Sequence, residues 1–103
     1  MATHRTQPRG LPKMPTGMSR RAQTLWKSVV QTYRIDADGL VTLEQACHCL
    51  ERMDQAEAIL TKEGLMSTGY KGQPVQHPAI RILDLERNGY LRCIRLLGLE
   101  GQV

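Results

Sequence analysis

The chain lacks phenylalanine, and its four aromatic residues are Trp26, Tyr33, Tyr70 and Tyr90. Its core must come mainly from Leu, Ile, Val, Met and Ala, which bury less surface per residue than large aromatic rings. At 103 residues such a core is marginal alone, which makes self-association an expectation from the outset. No apolar run approaches the roughly 18–20 residues a membrane span needs, so a transmembrane segment is excluded. The N-terminus is polar and basic with no apolar stretch behind it, which points to a soluble, non-exported protein. Cysteine is scarce and odd in number: Cys47, Cys49 and Cys93 read as free thiols in a reducing compartment.

Acids are missing from the first third. Residues 1–34 hold Arg5, Arg9, Lys13, Arg20, Arg21, Lys27 and Arg34 and no carboxylate. Residues 35–70 reverse the sign, with Asp36, Asp38, Glu44, Glu51, Asp54, Glu57 and Glu63 against Arg52 and Lys62. The remainder is mildly basic, and the whole chain carries +4. A basic arm ahead of a neutral-to-acidic body fits a polyanionic partner held by that arm.

Local signals divide the chain. Residues 1–18 contain Pro8, Pro12 and Pro15 and no apolar periodicity, so they are expected to form a flexible basic arm. From Ser19, a good N-cap, Ala22, Leu25, Trp26, Val29, Val30 and Tyr33 form one unbroken helical stripe, which predicts a helix over 19–34. Residues 35–41 read as a connector. Thr42 with Gln45 makes a capping box, predicting a second helix from there to about Lys62, stopped by Gly64. Gly69 and Gly72 flank a turn within 65–76, the pattern of a small β-hairpin that needs a neighbour to lean on. His77-Pro78 opens a third helix that Gly98 closes. This helix is apolar on two sides. Ile80, Leu83, Tyr90, Ile94 and Leu97 make one, and Ile82, Leu85, Cys93 and Leu96 the other. Gly89 inside it costs about 1 kcal/mol relative to Ala, which a close helix crossing would explain.

Several motifs invite chemistry and are better read structurally. Asp36-Ala37-Asp38-Gly39 resembles the middle of a calcium loop, but Arg34 and Gln45 occupy the positions where its two decisive carboxylates belong. Cys47 and Cys49 are two apart on a helix and point away from each other, so they cannot share a metal ion. His77 has no nucleophile–base–orienter set around it and is expected to cap or pack. With no phosphate loop, dinucleotide fingerprint or zincin motif, no enzyme, metal site or cofactor is expected. A helix-turn-helix reader would put the acidic second helix against phosphate, which repulsion disfavours.

The ordered features resemble a known family. Pro15-Thr16-Gly17-Met18-Ser19-Arg20-Arg21-Ala22 is followed by Trp26, then Gly39-Leu40-Val41-Thr42, then Ala56, Ile59 and Glu63-Gly64. His77-Pro78-Ala79 and Leu96-Leu97-Gly98-Leu99 complete the series. Together, over about residues 12–99, they are similar to the small subunit of phage terminase in its short all-helical branch. Gln45 stands where family members often carry Asp, and many relatives run on past Leu-Gly-Leu into a basic segment, whereas this sequence ends at Val103.

The resemblance implies a non-catalytic viral genome-packaging protein of the host bacterial cytoplasm. It would form a homo-oligomeric ring, bind double-stranded viral DNA at the packaging site, and regulate a large subunit that holds the ATPase and nuclease. The expected architecture is mainly α: a disordered basic arm (1–18), a helical hairpin, a short β-hairpin and a long C-terminal helix within 19–99, and a tail at 100–103. Arg5, Arg9, Lys13, Arg20, Arg21 and Lys27 are the expected DNA contacts, chiefly to phosphate. Ile82, Leu85, Cys93, Leu96 and Tyr70 are the expected oligomer interface, with no membrane partner. The alternatives from other classes are a helical adaptor whose arm binds an acidic protein, and a dimeric helix-turn-helix regulator.

Overall fold

A computed structural model describes residues 11–99 and the backbone of Thr3–His4. The elements run β1 (Thr3–His4), α1 (Arg20–Thr32), β2 (Arg34–Ile35), α2 (Ala37–Glu63), β3 (Met66–Thr68), β4 (Pro74–Gln76) and α3 (Pro78–Leu97).

Helix α1 forms where its sequence predicts but ends at Thr32 rather than 34, with Tyr33 as an extended C-cap and Arg34 already in β2. The Ser19 hydroxyl accepts from the Ala22 N–H at 3.3 Å, and Ala22, Leu25, Trp26, Val29 and Val30 are all buried. The Ser19 N–H itself donates to Glu51 Oε2 at 3.1 Å, which ties the start of α1 to α2.

Helix α2 starts five residues earlier than the capping box at Thr42 suggests. Asp36 is the N-cap, with Oδ1 accepting from the Gly39 N–H at 2.7 Å. Asp38 sits in the first turn, where a carboxylate complements the helix dipole. Thr42 is inside the helix, its hydroxyl donating to the Asp38 carbonyl at 3.2 Å. The expected 35–41 connector therefore shrinks to the stretch around β2, and the calcium-like tetrapeptide is a helix start. Both caps are good ones. The earlier wins because Ile35 is buried just before it and Leu40 packs on the core one turn later.

The hairpin is antiparallel as expected, with Met66 opposite Gln76, Ser67 opposite Val75 and Thr68 opposite Pro74. Its turn is closed by Gly69 N–H to the Gln73 carbonyl (2.7 Å) and Gly72 N–H to the Gly69 carbonyl (2.9 Å). In α3, His77 is the N-cap: Nδ1 accepts from the Ala79 N–H at 3.0 Å. That leaves the proton on Nε2, which donates to Glu63 Oε1 at 2.9 Å and pins the start of α3 to the end of α2. Gly98 takes the left-handed conformation (φ 74°), so the Leu99 N–H reaches back to the Ile94 carbonyl at 3.0 Å. The turn drops Leu99 into the core at 1% exposure, which accounts for the Leu-Gly-Leu ending.

Helix α3 runs antiparallel to α2, and Arg52 Nε meets Glu86 Oε2 across the pair at 2.9 Å. A Cβ on Gly89 would lie 3.2 Å from Cys49 Sγ, a tight contact that marks a close approach of the two helices. The core sits where α1 crosses the first half of α2 and the last turns of α3, around Leu43, Cys47, Val29, Leu97 and Leu99. Beyond Met53 the α2–α3 pair continues as a two-helix arm whose only buried hydrophobic residues before Ile94 are Ala56 and Ala79. Before Ser19, Met18 is buried and Met14 packs on the core, so the packed unit begins ahead of the expected boundary at 19. Both methionine side chains reach the core from non-helical chain ahead of α1, which the surrounding prolines obscure in sequence.

Candidate nucleic-acid interface

The buried stripe of α1 leaves the opposite face to solvent, and that face carries Arg20 and Lys27, seven residues apart and both exposed. Thr24 lies between them, its hydroxyl donating to the Arg20 carbonyl at 3.0 Å. Lys13 is also exposed. Arg21 stands apart: its Nη1 meets Asp54 Oδ1 at 2.7 Å, an ion pair joining α1 to α2. Its guanidinium also lies near Tyr90, offsetting part of the upward push that burial exerts on that phenol. Arg5 and Arg9 lie outside the described residues. The structure thus brings Arg20 and Lys27 together on one outward face and gives Arg21 a partner within the fold.

Of the remaining candidates, Ile82, Leu85 and Tyr70 belong to the two-helix arm and its hairpin, and Cys93 and Leu96 to the turns of α3 nearest the core. Ile82, Leu85 and Leu96 are 48%, 57% and 53% exposed and follow one flank of α3 at three- and eleven-residue intervals, with Gly89 in the same seam. Cys93, grouped with them by spacing, turns toward α2 and packs half-buried against the core, because it lies on the edge between the flank and the inward face. Tyr70 is 92% exposed at the hairpin tip, with Lys71 Nζ 5.7 Å from its ring centre. Leu65 and Met66 are exposed at the base of the same hairpin. On the other flank of α3 an open groove of about 340 Å³ is lined by Gln76, Ile80, Arg81, Leu83, Asp84 and Arg87.

The thiols are held in their unreactive form. Cys47 is buried toward α1, where its thiol donates to the Ala22 carbonyl at 3.5 Å. Burial, reinforced by Glu51 and Glu44, pushes it from 9.0 up to about 12. Cys49 faces α3 instead and is raised by burial and by Glu86. Burial raises Cys93 as well. Between the first two, His48 points outward, with Nδ1 3.1 Å from Glu51 and Nε2 3.4 Å from Glu44. Cys47, His48 and Cys49 therefore point in three directions, and no group of metal-ligating side chains occurs among the described residues.

Sequence reasoning passed over the basic residues of α3. Arg81 and Arg92 are exposed on its outward side, and a search for helical periodicity in charge, as well as in hydrophobicity, would have found them. No described helix is long and apolar enough to cross a membrane.

Comparison with known proteins yields one family. The sequence model of the phage terminase small subunit matches residues 22–102, nearly the whole packed unit. No curated protein and no solved structure matches the chain.

Proposed function

We propose that this chain, which belongs to the phage terminase small-subunit family, serves phage genome packaging as a non-catalytic, DNA-binding ring component that regulates a large ATPase and nuclease subunit. The family match over residues 22–102 carries this reading. Double-stranded viral DNA is held by the arm and the outward face of α1, through Arg5, Arg9, Lys13, Arg20 and Lys27, while the expected contact Arg21 is instead engaged by Asp54. Exposed Arg20 and Lys27, which form no ion pair among the described residues, support it, since two cations on one outward helix face suit a polyanionic partner. Each contact is weak and salt-sensitive alone, and repetition around an assembly multiplies them.

Self-association runs along one flank of α3, with Ile82, Leu85 and Leu96 at the contact, Cys93 behind them and Tyr70 at the hairpin end. That the two-helix arm buries only Ala56 and Ala79 among its hydrophobic side chains supports this assignment. Burying a Leu or Ile side chain contributes roughly 1.5–3 kcal/mol, so three half-exposed aliphatic residues per protomer are a substantial unmet contribution. Light scattering at moderate salt tests the assembly. The expected result is a particle of many subunits, reduced to a folded protomer by Leu85→Glu. A monomer or dimer in the unaltered protein, still monomeric or dimeric with DNA present, would end the ring reading.

A further inference from the structure

Helix α3 has three sides, and the third has no role so far. Arg81, Asn88, Arg92 and Arg95 recur at intervals of seven, four and three residues, which sets them along one side of the helix. All four are exposed. The inward side is occupied by Ala79, Glu86, Tyr90, Ile94 and Leu97, and the aliphatic flank by Ile82, Leu85 and Leu96. The back of α3 lies between that flank, which Leu85 and Leu96 bring within about one helical turn of Arg81 and Arg92, and the groove that Arg81 and Asp84 line.

Its charge is mainly positive. Glu86 turns inward to Arg52, so Asp84 at the edge is the one carboxylate beside the row. Neither Arg81 nor Arg92 forms an ion pair among the described residues, although the neighbouring α2 carries most of the acids in the chain. Ordinary solvated helices intersperse both signs, because like charges at helical spacing repel. The basic residues here are also all arginine, whose planar fork suits phosphate oxygens better than the lysine ammonium does. From Arg81 to Arg95 the row spans about 21 Å of helix, enough to meet several phosphates of one duplex.

We infer that the back of α3, through Arg81, Asn88 and Arg92 with Arg95 at its end, is a second contact surface for the phosphate backbone of duplex DNA. It is separate from the arm and α1. The inference rests on the DNA-binding reading above and adds to it, because α1 and α3 both pack on α2 yet turn different faces to solvent. DNA bound by the assembly would then be engaged from two helices of each protomer.

The test uses the full chain and a fluorescent linear duplex of arbitrary sequence, titrated by anisotropy across a salt series. Arg81→Gln/Arg92→Gln is compared with Arg20→Gln/Lys27→Gln and with the unaltered protein. Mass by light scattering and thermal unfolding are recorded for each. The expected result is about tenfold weaker binding for Arg81→Gln/Arg92→Gln at low salt. Its salt dependence should be shallower by about two contacts for every protomer on the duplex, with mass and melting unchanged. Unaltered affinity and slope in that variant, with loss in Arg20→Gln/Lys27→Gln, would assign DNA to α1 and overturn the inference alone. A lower mass in Arg81→Gln/Arg92→Gln would make the row a protein contact and overturn it likewise. No duplex binding by the unaltered protein would overturn both the inference and the reading beneath it.

Discussion

Gly89 is the point where two effects of similar size oppose each other. An alanine at an interior helix position is more favourable than glycine by about 1 kcal/mol. At this site, however, the new Cβ would lie 3.2 Å from Cys49 Sγ, inside ordinary carbon–sulfur contact. Cys49 is 6% exposed and wedged between α2 and α3, so its sulfur has little space to retreat into. Overpacking of this kind costs roughly 1–3 kcal/mol. The expected balance for Gly89→Ala is a net loss of about 1 kcal/mol, with α3 displaced outward and the Ile82, Leu85 and Leu96 flank displaced with it. In a Cys49→Ala background the obstacle is gone, and the same substitution should become stabilising by up to about 1 kcal/mol. The double-mutant cycle is read by urea unfolding of all four proteins at one protomer concentration, since assembly would otherwise shift the midpoints. Gly89→Ala raising stability by the full propensity difference in both backgrounds would refute the close-crossing explanation.

Further outcomes follow from the caps, the ion pair and the buried thiol. Asp36→Ala should cost about 1 kcal/mol in urea unfolding, whereas Thr42→Ala should stay within about 0.5 kcal/mol, because Asp36 and not Thr42 holds the open N–H groups of α2. Equal losses would return the helix start to Thr42. Arg21→Gln should lower stability by no more than about 0.5 kcal/mol, since its pair with Asp54 is largely solvated, while Arg20→Gln leaves the melting temperature alone and weakens duplex binding. Reversed effects would exchange their roles. Cys47 keeps its proton in the folded state up to about 12, against 9.0 ordinarily, so its contribution to stability is complete below pH 9 and falls as pH rises toward 12. Native Cys47 should resist alkylation at pH 9 and react on unfolding, and Cys47→Ala should flatten the alkaline loss of stability. Rapid alkylation of the native protein at that thiol would contradict the buried placement.

How far the sequence reaches depends on the range over which each determinant acts. Ser19 and the α1 stripe, the glycine-flanked hairpin turn, Pro78 and the Leu-Gly-Leu ending all work within a few residues, through backbone hydrogen bonds and helical spacing. Those elements are legible in the chain alone. The close approach at Gly89 is legible too, because a glycine inside a strong helical pattern is costly unless something requires it. The start of α2 is less so. Asp36 and Thr42 are both competent caps, and burial of Ile35 with packing of Leu40, both tertiary effects, favours the earlier one.

The charges divide in the same way. Net sign along the chain is local, so the basic first third and acidic middle are visible without a fold. Which cations stand unpaired is a matter of the fold. Arg21 finds Asp54 thirty-three residues away and Arg52 finds Glu86 across the helix pair, while Arg20, Lys27, Arg81 and Arg92 face water. Cys93 has the spacing of the aliphatic flank, yet its burial follows from how α2 and α3 approach each other. Short-range patterning therefore determined the helices, their ends and the hairpin. Packing of α1 and α3 on α2 decided which charged and apolar side chains were left for a partner, because burial and ion pairing join residues that are far apart in sequence.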